Sequence, residues 1–343
     1  MKARIVIVVG LVVILGFGLW RTVGTDDGPD RRTDGGPAPR VRTTRPMAVG
    51  LWGDIPYTAD AVPKVERMIG DMNAANLDFS VFDGDIKGGG RCDDRVYTEA
   101  RDRFNRFVAP LVYVPGDNEW TDCHGTGADP LERLAHLRQV MFPSANSLGM
   151  RAMALERQSD RYPEHTRWRA ADVVFAGLHV VGSNDNKVTD ATEADTGQPR
   201  APRQRAAANA EHEARSEAAV AWMRKSFRVA KETDAAGVMV VIQANPAFDV
   251  VRPGDRAERG VDGFDRFLEA LREETKRFAR PVALVHGDTH RYRLDHPLLD
   301  ADGVPIPNLV RLETFGYPFV SWVKATVDPN DPLVFRFERQ QMY

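Results

Sequence analysis

Acidic and amide side chains follow several short apolar segments of this chain, at the points where those segments end. In an open α/β sheet, ligands gather beyond the carboxyl ends of the strands. A glycine beside the acid permits a tight turn and a close approach of the backbone. A single Gly-Asp pair is an ordinary surface turn, but five polar strand endings along the chain, four of them with a glycine beside the acid, predict one shared polar site. The endings span residues 53–57, 83–87, 115–120, 243–246 and 286–290.

The strands that must position these residues alternate with helical patterns, which predicts an α/β or α/β sandwich fold. The predicted strands are residues 48–53, 79–83, 111–114, 173–181, 238–243 and 282–285. The predicted helices are 61–75, 98–107, 130–141, 211–232 and 261–277. Residues 309–313, 319–327 and 334–338 predict a strand meander that closes a sheet, and residues 144–169 and 186–210 predict loop insertions.

The order and spacing of the strand endings resemble the calcineurin-like metallophosphoesterases. The pattern of that family runs DxH, GD, GNH followed by Asp or Glu, then a His, then GHxH, and the similarity covers residues 47–327. Asp54 stands at the first motif Asp, Asp85 at the bridging Asp of the second motif, and His290 at the last His. The resemblance implies a four-layer α/β/β/α sandwich of two mixed sheets flanked by helices, with one or two divalent metal ions at the strand ends.

Several positions depart from the family pattern. The departures are Pro56 for the His of DxH, Asp117 and Asn118 for the Asn and His of GNH, Gln243 or Asn245 for the fourth-motif His, and Asp288 for the first His of GHxH. If the alignment slips by one residue, Asn118 replaces Asp117 as the ligand, so both remain candidates.

These departures turn a mixed nitrogen and oxygen site into an oxygen-rich one. Hard oxygen ligands suit Mn²⁺, Mg²⁺ or Ca²⁺ better than zinc, and the remaining His290 makes Mn²⁺ the first choice. Clustered carboxylates repel one another without a cation or protons, so the sequence predicts metal binding. The candidate ligands are Asp54, Asp85, Asp117, Asn118, Asn245, Asp288 and His290.

The resemblance also implies a reaction, in which a water activated by the metals attacks phosphorus. Asn118 stands at the position of the catalytic His, but an amide cannot supply a titrating proton. His124, in the loop that follows, is the candidate acid for the leaving group, the alternative being an ordinary surface histidine. Lys87 and Arg291 could offer charge to a phosphate oxygen or could be solvated.

The first residues predict export. Lys2 and Arg4 precede an apolar run over residues 5–20, and the absence of a small-residue cleavage site favours a retained signal-anchor over a cleaved signal peptide. We therefore expect a signal segment over residues 1–22, a flexible Gly/Pro/Arg linker over 23–46 and one domain over 47–343, held outside the cytoplasm by the membrane anchor. If the signal is cleaved, the domain is secreted.

Two further features agree with this location and narrow the choice of partner. Cys92 and Cys123 are the chain's two cysteines, and in an oxidising compartment they predict a disulfide, with two free thiols as the alternative. The net charge of -3 gives no basic surface for nucleic acid.

The sequence thus predicts an exported, metal-dependent hydrolase of a phosphate monoester or diester. The alternative is a non-catalytic binding or scaffold domain that keeps the fold and is tethered to the membrane. Hydrolysis of another ester or of a peptide-like bond stays open, because a fold does not fix its substrate.

Overall fold

Strand β1 (Met47–Trp52) begins the part of the chain that the computed structural model describes, residues 45–300 and 302–343. It pairs in parallel with β2 (Phe79–Phe82), which pairs in parallel with β3 (Leu111–Tyr113). On its other side, β11 (Val323–Val327) and then β12 (Phe335–Arg339) add antiparallel strands. Within the described residues these strands form one mixed sheet in the order β12-β11-β1-β2-β3.

A second mixed sheet has the order β4-β5-β6-β7-β8-β10-β9 within the described residues. Its strands are β4 (Glu156–Arg157), β5 (Thr166–Ala170), β6 (Val173–Gly177), β7 (Gly237–Val241), β8 (Val282–His286), β9 (Arg293–Asp295) and β10 (Leu309–Glu313). The inner strands β6, β7, β8 and β10 run in parallel, whereas β4, β5 and β9 pair antiparallel.

Helices connect the strands and cover the outer faces of both sheets. They are α1 (Val62–Ala74), α2 (Asp94–Phe104), α3 (Pro130–Met141), α4 (Gly182–Asp185), α5 (Asp190–Thr196), α6 (Pro202–Glu232), α7 (Pro253–Glu258) and α8 (Asp265–Phe278), with 3-10 helices at Thr121–Thr126 and Asp262–Phe264. Helix α3 begins where the sequence predicts: Pro130 is in its first turn, and the Asp129 carboxylate accepts the Leu131 N–H at 2.9 Å.

Three apolar layers hold the sheets and helices together. Between the sheets, Val49 and Phe79 of the first sheet pack in one cluster with Phe175 and Val241 of the second. Trp222 and Met223 of α6 pack on the outer face of the second sheet. Trp52 and Phe82 of the first sheet pack with Met68 of α1 and Phe104 of α2.

This is the four-layer sandwich that the family resemblance implies, so the predicted fold class is confirmed. Parallel strands end at the same edge: Trp52, Phe82 and Tyr113, the last residues of β1, β2 and β3, lie side by side. The polar segments that follow them therefore start from one line, as the sequence predicts.

Apart from shifts of a few residues at element ends, as in β6 and α2, the structure differs from the predicted elements in three regions. The predicted meander is divided, because β10 joins the second sheet while β11 and β12 join the first. Residues 144–169, predicted as a loop insertion, contain β4 and most of β5. Residues 186–210, also predicted as a loop, contain α5 and the first turns of α6, which starts at Pro202 instead of residue 211.

The predicted anchor over residues 5–20 and the predicted linker up to residue 44 lie outside the described residues. Among the residues described, the structure has no helix of sufficient length and apolar character to cross a membrane. The described residues belong to a single compact unit.

Candidate functional site

The strand ends turn sharply, because several of their acidic residues have left-handed backbone dihedrals. Asp54, Asp85 and Asp288 have φ values of 52°, 64° and 78°. A Cβ atom at Gly116 would lie 2.0 Å from Oδ1 of Asp85, and one at Gly287 would lie 1.9 Å from Oδ2 of Asp54. The Gly-Asp pattern therefore lets a carboxylate from one strand end lie directly against the backbone of another.

The hydroxyl group of Tyr57 lies at the centre of an inner group of side chains: Asp54, Tyr57, Asp85, Asn118 and His290. It donates a hydrogen bond to Oδ2 of Asp85 at 2.7 Å and lies 3.4 Å from Oδ1 of Asp54. Nε2 of His290 is 3.1 Å from the same hydroxyl, and the Asn118 amide donates to it at 3.2 Å. Burial, followed by the charges of Asp85 and Asp54, raises the pKa of Tyr57, so the phenol keeps its proton.

The His290 ring is oriented by the backbone. Its Nδ1 lies 2.6 Å from the carbonyl oxygen of Tyr317, which can only accept, so Nδ1 carries a proton. Nε2 then points into the inner group, where it is 3.4 Å from Oδ1 of Asp54. Burial opposes the charged imidazole, but the hydrogen bond and charge of Asp54 outweigh it and raise the pKa of His290.

The Asp85 carboxylate is surrounded by hydrogen-bond donors. Its Oδ2 accepts from the Tyr57 hydroxyl, from the Asn118 amide at 2.7 Å and from the Gln243 amide at 3.3 Å. Its Oδ1 accepts the backbone N–H of Asn118 at 3.2 Å. Burial, and then the charge of Asp117, raise the pKa of Asp85 well above its usual range. The resemblance implies that Asp85 bridges two metal ions, but in this structure its carboxylate oxygens accept hydrogen bonds from neutral protein groups.

An outer group, Asp117, Asp122, Ser183 and Asp288, lies next to the inner one. Oγ of Ser183 is 2.9 Å from Oδ2 of Asp117 and 2.6 Å from Oδ1 of Asp122. A hydroxyl has one proton, so it can donate to one of these carboxylates at a time. A Cβ atom at Gly182 would lie 2.5 Å from Oδ2 of Asp117 and 2.8 Å from Oδ1 of Asp288, so both oxygens face the backbone there.

Gln243 links the inner and outer groups. Its Oε1 accepts the backbone N–H of Gly182 at 2.7 Å, which directs its amide nitrogen toward the carboxylates of both groups. Nε2 donates to Oδ1 of Asp117 at 3.0 Å and to Asp85. Of the two candidates for the fourth motif, Gln243 is therefore the one whose side chain contacts the acids.

Asn245 contributes to the site through its backbone. Its N–H donates to Oδ2 of Asp288 at 2.8 Å, whereas its side-chain amide donates to Thr289 at 3.4 Å and accepts the N–H of Ala247 at 3.3 Å. Burial raises the pKa of Asp288 to about 7, and the charge of Asp54 adds to the rise, whereas the hydrogen bond from Asn245 lowers the pKa.

The carboxyl groups repel one another. Burial, and then the charges of Asp122 and Asp288, raise the pKa of Asp117 well above its usual range. Burial also raises the pKa of Asp122, although the hydrogen bond from Ser183 opposes the rise. Oδ2 of Asp54 is buried without a hydrogen-bond partner among the described residues. Such a site requires protons or a cation to offset its charge.

A cleft of about 480 Å³ opens beside the outer group. Its lining includes Asp122, Ser183 and Asp288 of the outer group, the imidazole of His124, and the basic residues Lys187, Arg200 and Arg259. The outer group therefore faces a space that can admit a small molecule.

The predicted disulfide between Cys92 and Cys123 is confirmed, with 5.8 Å between the two Cα atoms. It ties the loop after β2 to the 3-10 helix Thr121–Thr126, which carries Asp122 and His124. His124 lines the cleft, where the candidate acid would have to lie. Lys87 instead donates to the Gly88 carbonyl at 2.9 Å.

The sequence reasoning missed Tyr57, Asp122 and Ser183. Tyr57 and Asp122 lie in or just after segments that were identified as strand endings. Gly182 and Ser183 follow an apolar run just as the recognised endings do, so they carried the same signal. Among the described residues, no three or more His, Cys, Asp or Glu side chains are grouped as they would be around a metal ion.

Comparisons with known proteins find likeness in shape and not in sequence. No family model matches the chain, and no curated protein matches it. The chain is similar to a dimetal phosphatase from Danio rerio, with a TM-score of 0.47 and 11% identity over 82% of this chain and 93% of that one. It is similar to GAP50, the anchor in the inner membrane complex of Plasmodium, with a TM-score of 0.44 and 10% identity over 87% of this chain and 89% of that one. It is also similar to Vps29 from Entamoeba histolytica, with a TM-score of 0.28 and 11% identity over 87% of this chain and 99% of that one. At these identities the likenesses concern the fold and not the activity.

Proposed function

We propose that this chain is a phosphoesterase-like hydrolase that works in the cleft beside the outer group with the help of a divalent cation. The observation that carries the proposal is the meeting of strand-end carboxylates from both sheets beside one open cleft. Asp117 follows a strand of the first sheet and Asp288 a strand of the second, and their oxygens face the same glycine, Gly182. Mutual repulsion between buried acids supports a cation, since one ion would offset it.

The donor chemistry of the outer group fits a hard cation, because the side chains of Asp117, Asp122 and Asp288 offer carboxylate oxygens. The Ser183 hydroxyl links Asp117 and Asp122, so it must turn away or serve as a ligand when an ion binds. Mn²⁺ remains our first choice, with Mg²⁺ or Ca²⁺ as alternatives. Such an ion, when bound, would polarise a phosphoryl oxygen.

The inner group does not fit an ion in its present arrangement, because the Tyr57 hydroxyl lies among its donors and Asp85 is fully engaged by protein donors. We therefore assign no step of the reaction to a metal at the inner group.

The walls of the cleft support an anionic substrate. The Arg259 side chain is 59% exposed and its ion pair with Asp249 is long, at 3.7 Å, so its guanidinium can also contact a phosphate oxygen. Arg200 is held by the Asn186 side chain at 3.1 Å, which fixes its charge at the cleft. His124 lines the same space, and in this proposal it gives a proton to the leaving group.

The test is hydrolysis of aryl phosphate monoesters and diesters by the full chain, with Mn²⁺, Mg²⁺ or Ca²⁺ added separately. We expect turnover with at least one ion and a loss of at least 100-fold in Asp288→Asn, because removing one well-placed charge from an electrostatic site has an effect of roughly this size. Asp102→Asn, at an exposed position on α2, is the matched control and should keep the activity. A folded protein without turnover under any of these conditions would exclude these substrates.

A second function, a non-catalytic binding or scaffold domain, is favoured by one specific observation. Protein hydrogen bonds saturate the Asp85 carboxylate, so this member of the inner group has its partners without any metal. In that case the cleft should bind a phosphate ester without hydrolysing it. Calorimetry with a non-hydrolysable phosphonate analogue, combined with absent turnover, would distinguish this function from the first.

We further propose that the domain lies outside the cytoplasm and is tethered to the membrane by its N-terminal segment. The disulfide supports an oxidising location, because such bonds are rare in the cytosol. Protease added to intact cells should then cleave the domain, which should sediment with the membrane fraction. Protection from the protease, or release into the soluble cell extract, would contradict this location.

A further inference from the structure

We propose that Tyr57 is a built-in occupant of an ion-binding point formed by Asp54, Asp85 and His290. Its side chain keeps this inner point free of metal, and removing the side chain uncovers a site for one divalent cation such as Mn²⁺. The proposal concerns metal binding at the inner group alone, so it holds whether or not the cleft hydrolyses a phosphate ester.

Metal-type donors surround the Tyr57 hydroxyl oxygen, and they are spaced more widely around it than they would be around a bound ion. Oδ2 of Asp85 lies 2.7 Å from it, Nε2 of His290 lies 3.1 Å from it, and Oδ1 of Asp54 lies 3.4 Å from it. Two carboxylate oxygens and one imidazole nitrogen form a donor set that Mn²⁺ and related ions accept. The hydroxyl oxygen therefore lies among the donors that would have to hold an ion.

The orientation of His290 is that of a metal ligand. Its Nδ1–H donates to the Tyr317 carbonyl at 2.6 Å, which fixes the ring and directs Nε2 to the shared point. Metal-binding histidines are held by such a backbone bond through their other nitrogen. In this protein the atom that Nε2 meets is the Tyr57 oxygen.

Packing keeps the Tyr57 ring in place. The ring stacks on Tyr317, with 5.8 Å between the centroids and 19° between the planes, and meets the edge of His290 at 5.0 Å. On another side it lies against Gly88, where a Cβ atom would come within 2.9 Å of the Tyr57 ring. A side chain confined in this way is not expected to swing out when metal is added.

The hydroxyl fills the space in which an ion would have to lie. Divalent ions such as Mg²⁺ lie about 2.0–2.1 Å from their oxygen ligands, and Ca²⁺ at about 2.3–2.6 Å. For an ion to come this close to Asp54, Asp85 and His290, the tyrosine hydroxyl and its hydrogen bonds to these residues would have to be displaced. A phenyl ring at this position should exclude an ion as well, because its terminal carbon would still lie beside the inner ion-binding point.

The experiment counts Mn²⁺ ions per chain in chelator-treated full-length protein, by calorimetric titration and by electron paramagnetic resonance. We expect Tyr57→Ala to bind one Mn²⁺ more than the wild type. Tyr57→Phe is the matched control: it removes the hydroxyl but keeps the ring, and it should bind no additional ion. Adding His290→Gln to Tyr57→Ala should remove the extra ion, which assigns it to the inner group.

Two results would overturn the proposal. One is a folded Tyr57→Ala protein that binds no more Mn²⁺ than the wild type. The other needs no tyrosine variant: a wild-type ion that disappears in His290→Gln would mean that the inner point is occupied by metal despite Tyr57. Both results come from ion counts, so they are distinguishable from a loss of hydrolysis in the assay of the proposed function.

Discussion

The carboxyl group of Asp288 lies where the buried acids meet the cleft. Burial raises its pKa to about 7 against the hydrogen bond from Asn245, and the charges of Asp54 and Glu313 add to the rise. Its ordinary pKa in an unfolded chain is 3.8. Between these two values the folded protein holds a proton that the unfolded chain has released.

This proton predicts a dependence of stability on pH when metal is removed by a chelator. The contribution is fully present below about pH 4 and is lost as the pH rises through about 7, because the folded state binds more protons in between. Urea unfolding should therefore give a free energy that falls from pH 5 to pH 7, by at most about 1.4 kcal/mol per pH unit for this group.

The Asp288→Asn variant should show a flatter profile than the wild type over this range, because its side chain does not titrate. Asp102→Asn should keep the wild-type slope. Parallel profiles for the wild type and Asp288→Asn would mean that Asp288 is not the source of the dependence.

At the residue scale, the sequence predicts the acids of the site better than their partners. Asp54, Asp85, Asp117 and Asp288 were recognisable because each follows an apolar run beside a glycine. The role of Tyr57 was not recognisable, because an aromatic residue in such a segment usually packs in a core. Only the three-dimensional structure brings its hydroxyl oxygen to the acids.

Helix α4 (Gly182–Asp185) is a short turn with a left-handed backbone. Ser183, Asn184, Asp185 and Asn186 have φ values of 49°, 55°, 55° and 63°, in the left-handed region. For an L-residue this conformation costs about 1–2 kcal/mol, and Asn and Asp bear it best. The turn places the Ser183 hydroxyl between two carboxylates of the outer group, and strain of this kind accumulates at functional sites.

The left-handed turn predicts a reversed order of stability for two substitutions. Ser183→Gly should be more stable than Ser183→Ala by about 1 kcal/mol, because both lose the hydroxyl and glycine alone relieves the strain. In an ordinary helix the order is the opposite, so Ala221→Gly, at an exposed position of α6, should lose about 1 kcal/mol. Chemical denaturation of the three variants measures these differences in the free energy of unfolding. Equal stability of the two Ser183 variants would mean that the backbone at Ser183 is not strained.

At the element scale, burial decides which segments are recognisable from the sequence. The parallel strands β2, β7 and β8 are buried along their whole length and appear as apolar runs. Strand β5 was missed, because its sequence TRWRA buries Trp168 on one side but places Arg169 at the surface. The start of α6 was missed because its first residues are polar and mostly exposed, so that they show no apolar face.

The whole molecule brings the site together by docking one sheet on the other. The N–H of Asp288 donates to the carboxylate of Asp54 at 3.1 Å, across 234 residues of sequence. No local pattern predicts a contact at such a separation, and here the family resemblance supplied the expected arrangement. The site therefore depends on the apolar layer between the sheets.

Phe175 is the residue on which we test this dependence. It is fully buried in β6, where its ring stacks on Trp168 at 5.3 Å and meets Phe79 of the first sheet edge-on at 5.2 Å. Phe175→Ala should lower the free energy of unfolding by about 3–5 kcal/mol, because it removes a buried ring and leaves a cavity between the sheets.

Urea denaturation followed by tryptophan fluorescence measures this loss. Phe319→Ala is the control, since that side chain is 46% exposed and its removal should change stability by about 0.5 kcal/mol or less. A smaller loss in Phe175→Ala than in Phe319→Ala would mean that the inter-sheet layer is not what holds the two halves of the site together. An ion or ligand bound at the outer group should also raise the free energy of unfolding of Phe175→Ala, because binding to the folded state alone shifts the unfolding equilibrium.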